Sequence, residues 1–99
     1  MAKEEAIRQF VSLLDEMISE LERILKEDQQ SGETTGIPTT ERYLNKFLRT
    51  RQAALDGTLH PSGGSGMGAS RAMSEFNYDE LVELANKIDD FYMTQLATL

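Results

Sequence analysis

The sequence contains no cysteine and no tryptophan, and only one histidine and two prolines among its 99 residues. Without cysteine there is no disulfide framework and no thiolate zinc site. The lone histidine, His60, falls short of the roughly four ligands that a structural zinc wants. A cysteine-free chain fits a reducing compartment. No run of ~18 apolar residues occurs, so no segment reads as a membrane span. Positive charge is scarce: 10 Lys and Arg stand against 17 Asp and Glu, a net charge of −7. That balance disfavours nucleic acid, whose phosphates need clustered Lys and Arg. The start Met1-Ala2-Lys3 runs straight into Glu4 and Glu5, where a secretory signal needs ~7–15 apolar residues. The expected location is the cytoplasm.

What remains is one acidic domain with room for one modest core. The strongest pattern lies in residues 3–28. Ile7, Val11, Leu14, Ile18, Leu21 and Leu25 follow one another at alternating spacings of four and three, and Phe10, Met17 and Ile24 widen the stripe. Three apolar positions per heptad is the width of a core-facing helix. Glu4–Arg8 and Glu22–Lys26 stand at i,i+4 in the favourable order on its outer face. A helix of this length is long for so small a domain, so a partner subunit covering part of the stripe is an alternative to packing within the chain.

Residues 29–39 hold two Gly and a Pro without periodicity and read as a loop. Thr39 or Thr40 caps a second helix over 40–56, whose stripe is Tyr43, Leu44, Phe47, Leu48, Arg51, Ala54 and Leu55. Gly57 ends it where a left-handed cap is common. Residues 57–70 form a second loop, rich in glycine between Gly63 and Gly68. Residues 71–76 allow one short helical turn, with Met73 and Phe76 facing inward. Asn77 and Glu80 have the spacing of a capping box for a third long helix over 78–97. Its stripe is Leu81, Leu84, Ala85, Ile88, Phe91, Tyr92 and Leu96. No window alternates with period two. The fold class is therefore all-α, a small three- or four-helix bundle with a long N-terminal helix and a Gly-rich loop before the last helix.

Charge is uneven along the chain. Residues 1–37 carry four bases and nine acids, residues 38–71 five bases and two acids, and residues 72–99 one base and six acids. The segments thus stand at −5, +3 and −5. An acidic first and last helix flanking a basic middle one would pack with favourable long-range electrostatics.

Few constellations offer chemistry. The run Ser62-Gly63-Gly64-Ser65-Gly66-Met67-Gly68-Ala69-Ser70 lacks the lysine of a phosphate-binding loop and the spacing of a dinucleotide fingerprint, and it reads as a connection between helices. No nucleophile–base pair and no Glu-x-x-His set is present. No cofactor or metal is expected, and the chain is not read as an enzyme. Arg42, Lys46 and Arg49 share one face of the second helix, where an internal or solvated role competes with nucleic-acid contact.

The feature that points outward is an acidic face on the last helix. Asp79, Glu83 and Asp90, with Asn86 between them, form one stripe; Glu80 and Asp89 flank it, and Tyr78 and Tyr92 sit near its ends. Lys87 is the one base nearby. Aligned like charges cost stability, so such a ridge suits capture of a cationic surface, with the tyrosines as anchors. Plain solubility is the competing explanation.

With Leu55-Asp56-Gly57, Gly63-Gly64 and Gly66-Met67-Gly68-Ala69-Ser70 ahead of an acidic Leu-rich helix, the chain resembles a group of small uncharacterised bacterial all-helical proteins with a Gly-Met-Gly-Ser-type loop. It departs from them by inserting Ser65 and by ending Gly-Ala-Ser. In general character it is similar to bacterial immunity proteins. The expectation is a non-catalytic acidic protein that neutralises a basic protein toxin such as a nuclease. Alternatives are a structural or adaptor protein that forms a homodimer through the first helix, and a phage-encoded mimic of nucleic-acid charge.

Overall fold

The computed structural model describes residues 3–32, 34–63, 66–75 and 78–97. The elements are α1 (Lys3–Ser31), α2 (Ile37–Asp56), α3 (Ala69–Glu75), a 3-10 turn (Asp79–Leu81) and α4 (Val82–Gln95), with no strand among the described residues. The all-α class follows the helical periodicity.

At ~1.5 Å per residue a helix as long as α1 reaches about 44 Å, and the molecule's longest dimension is 45 Å. α1 is thus the spine, and its broad stripe serves two neighbours. Ala6, Phe10, Val11, Leu14, Met17, Ile18, Leu21 and Ile24 are buried on it. α2 packs antiparallel along one side of the stripe and α4 along the other, with α3 packed on α4. Most of the stripe that raised an intermolecular role for α1 is therefore covered within the chain, with Ile7 and Leu25 half-buried.

The helix ends moved from the expected positions for local reasons. α1 continues through Ser31, because nothing before Gly32 favours leaving the helix; Gly32 takes φ 79° there. α2 starts at Ile37 rather than at residue 40, with Pro38 in its first turn, where the missing N–H has no helical partner to lose. Thr40 is consequently inside the helix and not a cap. It is fully buried, and its Oγ1 donates to the carbonyl of Gly36 at 3.0 Å. Gly57 ends α2 in the left-handed region, φ 75°, as the sequence suggested.

The loop over 57–70 is shorter than expected, since α3 already begins at Ala69. The last helix is split: the 3-10 turn over 79–81 passes into α4, which ends at Gln95. Asn77 and Phe76, expected as cap and core residue, lie outside the described residues.

Two leucines assigned to the core are not in it. Phe47 is 1% exposed, but Leu48 is 42% and Leu55 54% exposed. At ~100° per residue, Leu44, Leu48 and Leu55 lie about 60–100° around α2 from Phe47. α4 does not reach that flank; it packs on α1 and α3. The i,i+4 pairs Glu4–Arg8 and Glu22–Lys26 are also not among the ion pairs formed. Arg23 instead bridges Glu20 at 2.7 Å and Glu27 at 3.1 Å, and Arg51 joins Asp15 across the α1–α2 hairpin at 2.6 Å.

Candidate functional site

Ala85 and Ile88 point from α4 into the core, with Leu81 before it and Leu96 after it, so the opposite side of the helix is solvated. Glu83, Asn86, Lys87 and Asp90 are exposed there, and Asp79 and Glu80 are exposed on the preceding 3-10 turn. These five ridge positions, Asp79, Glu80, Glu83, Asn86 and Asp90, are free to meet a partner. Asp79, Glu80 and Glu83 crowd the start of α4, where the positive end of the helix dipole offsets part of their mutual repulsion. Asp90 lies two turns further on, beyond that help.

The remaining three ridge residues are engaged within the chain. Tyr78 is half-buried and its hydroxyl meets that of Thr40. The Thr40 proton already goes to Gly36, so Tyr78 is the donor of this pair. Tyr92 stacks on Phe10 with centroids 5.6 Å apart, and its hydroxyl donates to the His60 carbonyl at 2.8 Å. Neither tyrosine stands as a free anchor.

Asp89 turns away from the ridge altogether. Its Oδ1 accepts from the backbone N–H groups of Met67 at 3.1 Å and Ala69 at 3.0 Å, and its Oδ2 from that of Ser70 at 2.9 Å. One carboxylate on α4 thus caps the first turn of α3 from a distance and shapes the glycine segment in front of it. Gly68 supplies the bend at φ 79°. Lys46 adds a bond from the other side, donating to the Met67 carbonyl at 3.4 Å. One of the three bases on the α2 face is therefore turned to the loop, while Arg42 and Arg49 are exposed.

Beside the exposed acids runs a shallow cleft between α4 and α1. One part of it, about 440 Å³, is lined by Glu80, Glu83, Leu84 and Lys87 on one side and by Glu16, Glu20 and Arg23 on the other. It continues into a depression of about 470 Å³ that adds Ser12, Asp15 and Ser19. Asp15 and Glu20 are neutralised by Arg51 and Arg23. Glu20 first, then Glu27, holds the Arg23 guanidinium more firmly protonated than usual. Glu16, Glu80 and Glu83 have no such partner, and Leu84 gives the cleft an apolar floor. The sequence reading missed the α1 half of this surface, because no spacing on one helix announces which face of another lies beside it.

The arrangement can accept cationic side chains by charge and shape. It shows no reacting pair: His60 is an exposed loop residue, and no group of three or more His, Cys, Asp or Glu among the described residues is placed to hold a metal ion. No helix among the described residues is long and apolar enough to cross a membrane. In comparison with known proteins, the chain matches no family model, no curated protein and no solved structure.

Proposed function

We propose that this chain is a non-catalytic acidic binding protein of the immunity or inhibitor type, working in the cytoplasm against a basic protein toxin such as a nuclease. The observation that carries the reading is the exposed set Asp79, Glu80, Glu83 and Asp90, continuous with Glu16 across the cleft and tempered only by Lys87 and the already bridged Arg23. Carboxylates placed this way raise the encounter rate of a cationic surface and fix its register. Leu84 offers the apolar contact that a charged rim alone lacks. The general likeness to immunity proteins points the same way.

The test is capture from the source cytosol on the immobilised chain. A protein of pI above about 9 is retained at low ionic strength and released near ~0.5 M salt, where the Debye length falls below about 5 Å. The combined change Glu80→Lys, Glu83→Lys and Asp90→Lys, with helicity checked by circular dichroism, weakens that affinity about tenfold or more. Capture of no basic protein, or affinity indifferent to the triple change, overturns the proposal. Inhibition of the captured protein's enzymatic activity establishes the toxin arm, and a captured protein that binds nucleic acid without being a toxin favours the charge-mimic alternative.

A further inference from the structure

At the end of the α1–α2 hairpin away from Gly32, the start of α1, the end of α2 and the segment after Gly57 form a small pocket of about 160 Å³. Its walls are Ile7, Ala54, Gly57, Leu59 and Pro61, and Lys3 is the one charged residue in its lining. The loop wall is held by the chain itself. The N–H groups of Thr58 and Leu59 donate to the Ala53 carbonyl at 2.9 and 3.1 Å, folding the chain back over the end of α2. The His60 carbonyl accepts from the Tyr92 hydroxyl at 2.8 Å. The N–H groups of Ser62 and Gly63 donate to the carbonyls of Leu96 and Ala97 at 2.9 and 3.2 Å. A segment without helix or strand is thus pinned to α2 at one end and beyond α4 at the other. A wall built this way is preformed, so a ligand need not order it.

We propose that this pocket binds a small monocarboxylate with an apolar body of about six carbons. Size sets the body. A cavity of about 150 Å³ with aliphatic and aromatic walls suffices for benzene, whereas drug-sized ligands need roughly 300 Å³ or more. Charge sets the head. Among the described residues Lys3 makes no ion pair, in a chain of net charge −7. It opens α1, whose first N–H groups lack helical acceptors and whose dipole has its positive end here. Glu4 and Glu5 stand outside the lining, and Glu5 lies about 160° round the helix from both Lys3 and Ile7. An ammonium at the rim of an apolar hollow selects an amphipathic anion over a neutral molecule of the same shape. The pocket shares no residue with the acidic cleft of the proposed function, so the two proposals stand or fall separately.

Titration of the full isotope-labelled chain with benzoate, followed by amide NMR shifts, tests it. The expected result is saturable binding with Kd of about 1 mM, the shifts centred on the start of α1, the end of α2 and the loop from Thr58 to His60. Benzamide, the neutral counterpart, binds about three- to fivefold more weakly. Acetate, which lacks the apolar body, produces no saturable shift in the same range. Lys3→Gln, at an exposed position that leaves the fold alone, lowers benzoate affinity by the same factor and removes the preference over benzamide. Lys3→Arg keeps that preference. Ile7→Trp fills the hollow and abolishes binding of both probes, with thermal melting to check that the fold survives. Shifts that do not saturate or that centre elsewhere, equal affinity for benzoate and benzamide in the wild-type chain, or a benzoate preference that outlives Lys3→Gln would each overturn the proposal.

Discussion

The two flanks of α1 are fastened by different physics. The α2 flank is held by apolar contact centred on Phe47 and Ala54, with one exposed ion pair, Asp15–Arg51, at its edge. The α4 flank has its apolar part in Phe10, Ala85 and Ile88, and adds a polar clamp in which Asp89 gathers three backbone N–H groups of the loop. Acidity therefore means different things along one helix. Asp89 is structural while its neighbour Asp90 is exposed, and only the second is available to a partner. A count of carboxylates cannot separate them; the direction each one faces does.

The largest expected effect breaks the apolar flank. Phe47→Ala removes a fully buried ring from the centre of the α1–α2 contact and destabilises the chain by about 3–5 kcal/mol, a large share of the ~5–15 kcal/mol that holds a domain of this size folded. Urea unfolding followed by circular dichroism reads it. Leu48→Ala, one residue on, costs far less, about 1 kcal/mol or below, because its side chain is 42% exposed in the isolated chain. A large loss at Leu48 under dilute conditions would mean that α2 is covered on both flanks.

The next effect separates the two aspartates. Asp89→Ala leaves the N–H groups of Met67, Ala69 and Ser70 without their acceptor and costs about 2–3 kcal/mol. It also raises amide exchange at those three positions ahead of the rest of the molecule. Asp90→Ala stays within about 0.5 kcal/mol. Equal losses at the two sites would remove the distinction between clamp and ridge. Asp89→Asn keeps one acceptor oxygen of the two and falls between these limits.

How much of this was readable from residues alone depends on range. α1 was legible because its stripe of nine apolar residues has one period and one interpretation, and Gly57 because a glycine after a helical stripe has a local reason to stop it. The start of α2 was misplaced because two threonines and a proline offer competing local signals. The proline prevailed by entering the first turn, and tertiary burial then claimed Thr40. Leu48 and Leu55 have the right spacing for a core, yet periodicity reports a face and not whether a second helix reaches it. Of the ridge, Asp79, Glu80, Glu83, Asn86 and Asp90 are exposed as anticipated. Tyr78, Asp89 and Tyr92 are drawn inward by partners 38, 19–22 and 32 residues away in the chain, a separation that leaves no local trace.

The smallest effect tests how the clamp and its loop depend on each other, and it concerns two glycines that look alike in the sequence. At Gly68 the backbone sits at φ 79°, a region L side chains rarely adopt, although a methyl group there would meet nothing within 4 Å. The cost of Gly68→Ala is therefore conformational alone, about 1 kcal/mol. At Gly66 the backbone needs no left-handed angle, and an added Cβ would rest 3.5 Å from Asp89 in ordinary contact. Gly66→Ala is accordingly neutral or slightly stabilising, because it also reduces the freedom of the unfolded chain. Thermal melts resolve the pair, since 1 kcal/mol moves the midpoint of a domain this size by about 4–8 °C. In an Asp89→Ala background the loop is no longer drawn onto α4, and the penalty at Gly68 shrinks because the strained angle is no longer enforced. A penalty that persists undiminished there would show that Gly68 shapes the entry to α3 without Asp89, which would leave the carboxylate a passive cap.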